Sequence, residues 1–80
     1  MKAKVMVTLK EGVLDPQGQA IEGALRSLGY EEFKNVRQGK FFELTIQGLN
    51  KGCAEKKLGE ICQKLLSNTV IENYRFEILD

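Results

Sequence analysis

The 80 residues carry 12 basic and 11 acidic side chains and no histidine, a formal charge of +1, so the chain lacks the basic excess of a protein built to grip phosphate backbones. An apolar fraction of 42% with mixed charges is ordinary for a folded chain, and with no low-complexity run or linker to divide it, residues 1–80 are expected to form one domain. So short a chain buries a small share of its surface, and a partner subunit would help it.

The start, MKAKVMVTLK, alternates Ala3, Val5, Val7 and Leu9 with Lys2, Lys4, Thr8 and Lys10, the period of a strand with one covered face. Its lysines interrupt any hydrophobic region of signal type, and nowhere is there an apolar run of membrane length, so the expected location is the cytoplasm. In EGVLDPQG, Asp15 is placed to cap a helix and Pro16 to open it. Ala20, Ile21, Ala24, Leu25 and Leu28 then share one side, and Gly29 supplies the left-handed residue that ends such a helix.

From Phe33 to Gln47 the period returns to two, interrupted at Gln38-Gly39-Lys40. Glycine tolerates positive φ, so a hairpin is expected with its tip there, the other reading being a bulge in one bent strand. Asn50 caps a second helix whose stripe is Ala54, Leu58, Ile61, Cys62, Leu65 and Leu66, ending near Asn68. Cys53 and Cys62 stand about 13 Å apart along that helix, too far for a disulfide, and both are expected to be packing residues. The last run, Glu72 to Leu79, alternates Tyr74, Phe76 and Ile78 with Asn73, Arg75 and Glu77, a strand.

The order β-α-β-β-α-β with right-handed crossovers predicts an α+β two-layer sandwich of ferredoxin-like type, with both helices on one face of a four-stranded antiparallel sheet. The other face, carrying Met6, Thr8, Phe41, Glu43, Thr45, Arg75 and Glu77, is left open: too polar for a second core, apolar enough to meet a partner.

That architecture hosts RNA binders, enzymes, ligand sensors and subunits, so residues must choose among them. GKFFEL loosely resembles an RNA-stacking strand, but Phe41 is followed on its own face by Glu43, and the first strand has no aromatic residue. Without histidine there is no Ser-His, Cys-His or histidine-based acid-base machinery, and zinc spacings are missing. Asp15 is the best-placed carboxylate for catalysis, yet capping explains it, because Pro16 follows directly. EGVLDPQG lacks the Gly-Lys-Ser/Thr ending of a phosphate loop. Arg37 and Lys40 have a bland reading as soluble decoration of a turn.

Three stretches nevertheless stand out. Lys10, Glu11, Val13, Leu14, Asp15, Pro16, Gln17 and Gly18 form the first, Val36, Arg37, Gly39, Lys40, Glu43 and Leu44 the second, and Leu65, Leu66, Asn68, Val70, Ile71, Glu72 and Tyr74 the third. On these motifs the sequence closely resembles the PurS family, the small subunit of phosphoribosylformylglycinamidine synthase in purine biosynthesis, over essentially the whole chain. The resemblance implies a non-catalytic subunit that joins a large ATP-dependent synthetase subunit to a glutaminase subunit, so that ammonia passes between them without escaping to water. It implies self-association as a homodimer or higher homo-oligomer, no nucleic acid or membrane partner, and no cofactor on this chain, ATP, Mg and glutamine being used by the partner subunits. Arg37 and Lys40, positioned by Gly39, are then expected to be interface cations, the planar guanidinium being suited to paired hydrogen bonds. Lys10, Asp15, Asn68 and Thr69 rank second. The rival from another class is a regulatory domain that holds a small metabolite between two copies of the same fold.

Overall fold

Strand β1 (Lys2–Leu9) forms where the period-two pattern predicts it, and in the computed structural model, which describes residues 1–79, Ala3, Val5 and Val7 are fully buried. It lies at the centre of a three-stranded antiparallel sheet, flanked by β2 (Gly39–Thr45) and β3 (Glu72–Leu79). The register sets Val5 between Phe42 and Phe76 on the inner face. On the outer face it sets Met6 between Phe41 and Arg75, and Lys4 between Glu43 and Glu77. Opposite charges directly across a ladder support the pairing, and the expected open face is present, with Thr8, Phe41, Glu43, Thr45, Arg75 and Glu77 exposed.

The inner face is covered by α2 (Lys51–Ile61), started by Asn50, whose Oδ1 accepts the N–H of Cys53 at 2.8 Å. Leu58 and Cys62 pack with Ala3, Val5 and Val7 of β1 to form the core, and Ala54 is buried as well; a fully buried leucine or valine contributes about 1.5–3 kcal/mol. From Cys62 to Leu66 the helix widens into a π turn, and the N–H and hydroxyl of Ser67 both donate to the Cys62 carbonyl, at 2.9 and 2.8 Å. One extra residue in the turn rotates the stripe, so Leu66 packs against the core while Leu65 is 78% exposed. The straight helical stripe expected through Leu65 is corrected by that turn. Cys62 is a packing residue as expected, whereas Cys53 is exposed.

The expected hairpin is absent. Residues 33–38 form no strand, because two of their N–H groups are taken by distant side chains: Val36 donates to Glu22 Oε1 at 3.0 Å and Gln38 to Asp15 Oδ2 at 2.9 Å. Asn35 adds a left-handed residue at φ 58°, which breaks an extended run. Gly39 is therefore the first residue of β2, opposite Thr8, and it is glycine because a Cβ there would collide with the Val7 carbonyl oxygen. The α+β class and ferredoxin-like arrangement stand, with three strands in place of four.

Helix α1 (Pro16–Ser27) begins and ends as its sequence predicts: Asp15 Oδ1 accepts the Gly18 N–H at 2.9 Å, and the Tyr30 N–H reaches back to the Leu25 carbonyl at 2.8 Å, past Gly29 at φ 92°. It does not lie on the sheet, contrary to the expectation of two helices on one face. Ala20, Ile21, Ala24 and Leu28 are exposed. The helix and the returning segment 28–38 form an arm, held together by the Glu22 to Val36 bond and by Tyr30 edge-on to Phe33, their ring centroids 6.2 Å apart. The molecule is 50 Å long, of which an eight-residue strand accounts for only about 27 Å.

Candidate functional site

The three marked stretches meet at one end of the sheet, where β1 leaves and β2 and β3 begin. The Lys10 N–H donates to the Ile71 carbonyl at 2.8 Å, which joins the first stretch to the third. Asp15 joins the first to the second through Gln38, and the Gln38 amide also donates to Gln17 Oε1 at 2.7 Å. Lys40 Nζ stands 3.6 Å from Glu72 Oε2, which joins the second to the third. Between them lies a cleft of about 360 Å³ whose polar lining includes Gln17, Gln38, Lys40 and Glu72.

Each expected residue has a definite place. Arg37 donates from its guanidinium to the Leu9 carbonyl, so part of its fork fastens the arm to the end of β1. Other donors of the five remain. Lys40 is 61% exposed in its side chain, while its partner Glu72 is 12% exposed and also accepts the Asn68 N–H through Oε1 at 2.7 Å. Asn68 shapes its own turn, its Oδ1 accepting the Val70 N–H at 3.1 Å. Thr69 is exposed at the tip of that turn, and Lys10 is half-buried beside it. Gly18 lets the helix start close under the return of the arm, since a Cβ there would lie 2.5 Å from the Val36 carbonyl oxygen.

The electrostatics favour a rigid end over a reactive one. Asp15 is held below the usual carboxylate range by the Gln38 N–H first and the Gly18 N–H second, partial desolvation opposing them and the nearby Arg37 assisting. A carboxylate with both oxygens so engaged is a poor proton acceptor. Among the described residues no group of three or more His, Cys, Asp or Glu is arranged to hold a metal ion, and no helix is long and apolar enough to cross a membrane. The Cys62 thiol, pushed up by burial, is shielded from chemistry.

Sequence reasoning passed over Glu72, the carboxylate that fixes both Lys40 and the Asn68 turn. It also passed over Leu14 and Val70, exposed by 65% and 79% on two of these turns. All three lie within the marked motifs, which was the available signal.

Fold and site together define a small α+β protein of ferredoxin-like arrangement with one cross-tied end of charged and apolar turns. Residues 2–80 match the family model described as PurS: phosphoribosylformylglycinamidine (FGAM) synthase. The phosphoribosylformylglycinamidine synthase subunit PurS of Bacillus subtilis is 52% identical over 77 residues, covering 96% of this chain and 90% of that protein. The solved Bacillus subtilis PurS structure superposes with a TM-score of 0.88 at 51% identity, covering 99% of this chain and 98% of that one. A chain of the solved PurLQS structure from Thermotoga maritima matches with a TM-score of 0.88 at 33% identity, covering 98% and 95%. The chain belongs to the PurS family.

Proposed function

We propose that this chain is the non-catalytic small subunit of phosphoribosylformylglycinamidine synthase, a cytoplasmic enzyme of purine biosynthesis, and that it holds the glutaminase and the ATP-dependent synthetase subunits in register. Two active sites that share ammonia must keep a fixed relation, because a nucleophile lost to water is lost to the reaction. ATP, Mg and glutamine are then handled by the partner subunits, and this chain, paired with a second copy, supplies shape.

The observation that carries the reading is the convergence of three separate motifs on one end of the sheet, where the ionisable groups are tied to one another. Asp15, Gly39, Asn68 and Glu72 set the outline of that end. The free donors of Arg37, the Lys40 ammonium, Lys10 and Thr69 are the groups offered to a partner, with Leu14 and Val70 as apolar contacts beside them. Membership along almost the full chain supports it, as does the likeness to a chain of a PurLQS structure.

The test is reconstitution with the two partner subunits. Arg37→Ala with Lys40→Ala should lower glutamine-dependent turnover about tenfold or more by weakening assembly, while turnover with free ammonia persists. Unchanged assembly and unchanged glutamine-dependent turnover in the double variant would remove these two cations from the interface.

A further inference from the structure

On the face of the sheet that meets α2, alternate residues are apolar: Val5 and Val7 in β1, Phe42 and Leu44 in β2, Tyr74 and Phe76 in β3. The same alternation brings Lys40 and Glu72 to that face at its open end, because residues paired across a ladder point to one side, and Lys40 pairs with Val7, Glu72 with Leu9. The two stand on the outer strands, their backbones about 9.5 Å apart, and their side chains meet over β1 at 3.6 Å. An ion pair therefore occupies positions that the period of the sheet reserves for the core. A break of this kind in a core-facing pattern marks function.

Stability does not account for the choice. The Glu72 side chain is 12% exposed, and taking a carboxylate out of water costs about as much as its ion pair returns, or more. Two apolar residues of similar volume would close this end of the sheet as firmly. What a carboxylate supplies and an apolar side chain cannot is direction. Oε2 fixes the Lys40 ammonium, while Oε1 accepts the Asn68 N–H at 2.7 Å. The Glu72 N–H in turn reaches the Asn68 carbonyl at 2.7 Å, and Asn68 Oδ1 holds the Val70 N–H. The turn that carries Thr69 and Val70 is thus set from the same residue as the ammonium.

We infer that Glu72 is a positioning residue for docking: it couples Lys40 to the 68–71 turn, so that a cation, a hydroxyl and an apolar side chain are presented to the synthase partners as one rigid group. Docking then orders one unit instead of two, and the ordering of side chains and loops is a cost that a prepared surface avoids. Glu72 acts through its neighbours and touches no partner itself. The inference rests on the proposed function and adds to it the residue through which Lys40 works.

A double-mutant cycle tests it, read as the affinity of this chain for the two partner subunits together by co-sedimentation, with thermal melting in parallel. Glu72→Gln keeps an oxygen for the Asn68 N–H and loses the charge that holds Lys40. It should weaken binding about three- to tenfold with Lys40 in place, and melt within about 8 °C of wild type. Lys40→Ala should weaken binding as well, and Lys40→Ala with Glu72→Gln no more than Lys40→Ala alone, because the second change then has nothing left to position. Glu72→Leu, which also releases the Asn68 N–H, should bind more weakly than Glu72→Gln. Additive losses in the cycle would make Glu72 a contact of its own, a larger fall in melting temperature would assign it to the fold, and a Leu variant no weaker than the Gln one would leave the turn uncoupled; each overturns the inference. Normal binding by Glu72→Gln beside weakened binding by Lys40→Ala overturns it too and leaves the proposed function standing. Normal binding by both overturns it together with the docking role of Lys40. A wild-type chain that fails to bind the partner subunits overturns the proposed function as well.

Discussion

Asp15 accepts the N–H of Gly18 through one oxygen and the N–H of Gln38 through the other, both at 2.9 Å, so a single carboxylate starts α1 and anchors the return of the arm. These bonds favour the ionised form, and the folded pKa lies below the ordinary 3.8. The stabilisation is therefore complete above that ordinary value and is lost as the pH falls through the lower, folded one. Asp15→Asn keeps an oxygen for Gly18 and loses the acceptor for Gln38. Its melting temperature should fall below that of the wild type at about pH 7, and the gap should close towards about pH 2. A gap equal at both pH values contradicts this account.

Gly39 and Gly59 make a matched pair. Gly39→Ala drives a Cβ into the Val7 carbonyl oxygen and should cost about 1–3 kcal/mol, as overpacking does. Gly59 lies inside α2 with nothing within 4 Å of a built Cβ, so Gly59→Ala should gain about 0.5–1 kcal/mol. Urea denaturation of both variants checks the opposite signs.

The π turn predicts a sharp contrast between neighbours in one apolar stripe. Leu58→Ala, at 2% exposure, should cost about 2–5 kcal/mol. Leu65→Ala, on the outside of the widened turn, should stay within about 0.5 kcal/mol of wild type. Equal losses would mean that the helix runs straight through residue 65.

Lys40→Ala separates stability from docking. Its ion pair with Glu72 is exposed on the lysine side, and such pairs contribute at most about 1 kcal/mol. The variant should melt near the wild-type temperature while binding the synthase partners more weakly, as measured by co-sedimentation. A variant that binds normally assigns Lys40 to the turn alone.

Much of this was legible in the residues themselves. The alternation of Ala3, Val5 and Val7, the Asp15-Pro16 start, the Asn50 cap and the alternation from Glu72 to Leu79 are local patterns, and each element formed where its pattern lies. The missing strand was not legible, because the carboxylates that take its N–H groups lie 14 and 23 positions away. The place of α1 was hidden for a related reason. Periodicity shows that a helix has an apolar face, and it is silent on whether the covering surface belongs to the same chain. Arg37 and Lys40 were singled out by their motif, but their ties to Leu9 and Glu72 depend on the register of the whole sheet.

The sheet order has a consequence for biosynthesis. The middle strand precedes both of its neighbours in the chain, and its outermost pair on one side joins Lys2 to Leu79. A growing polypeptide therefore holds β1 with one flank unsatisfied until β3 (Glu72–Leu79) has been made and can close on it. Such long-range closure is slow, so the arrival of β3, more than the formation of β1, sets when the sheet acquires its native form.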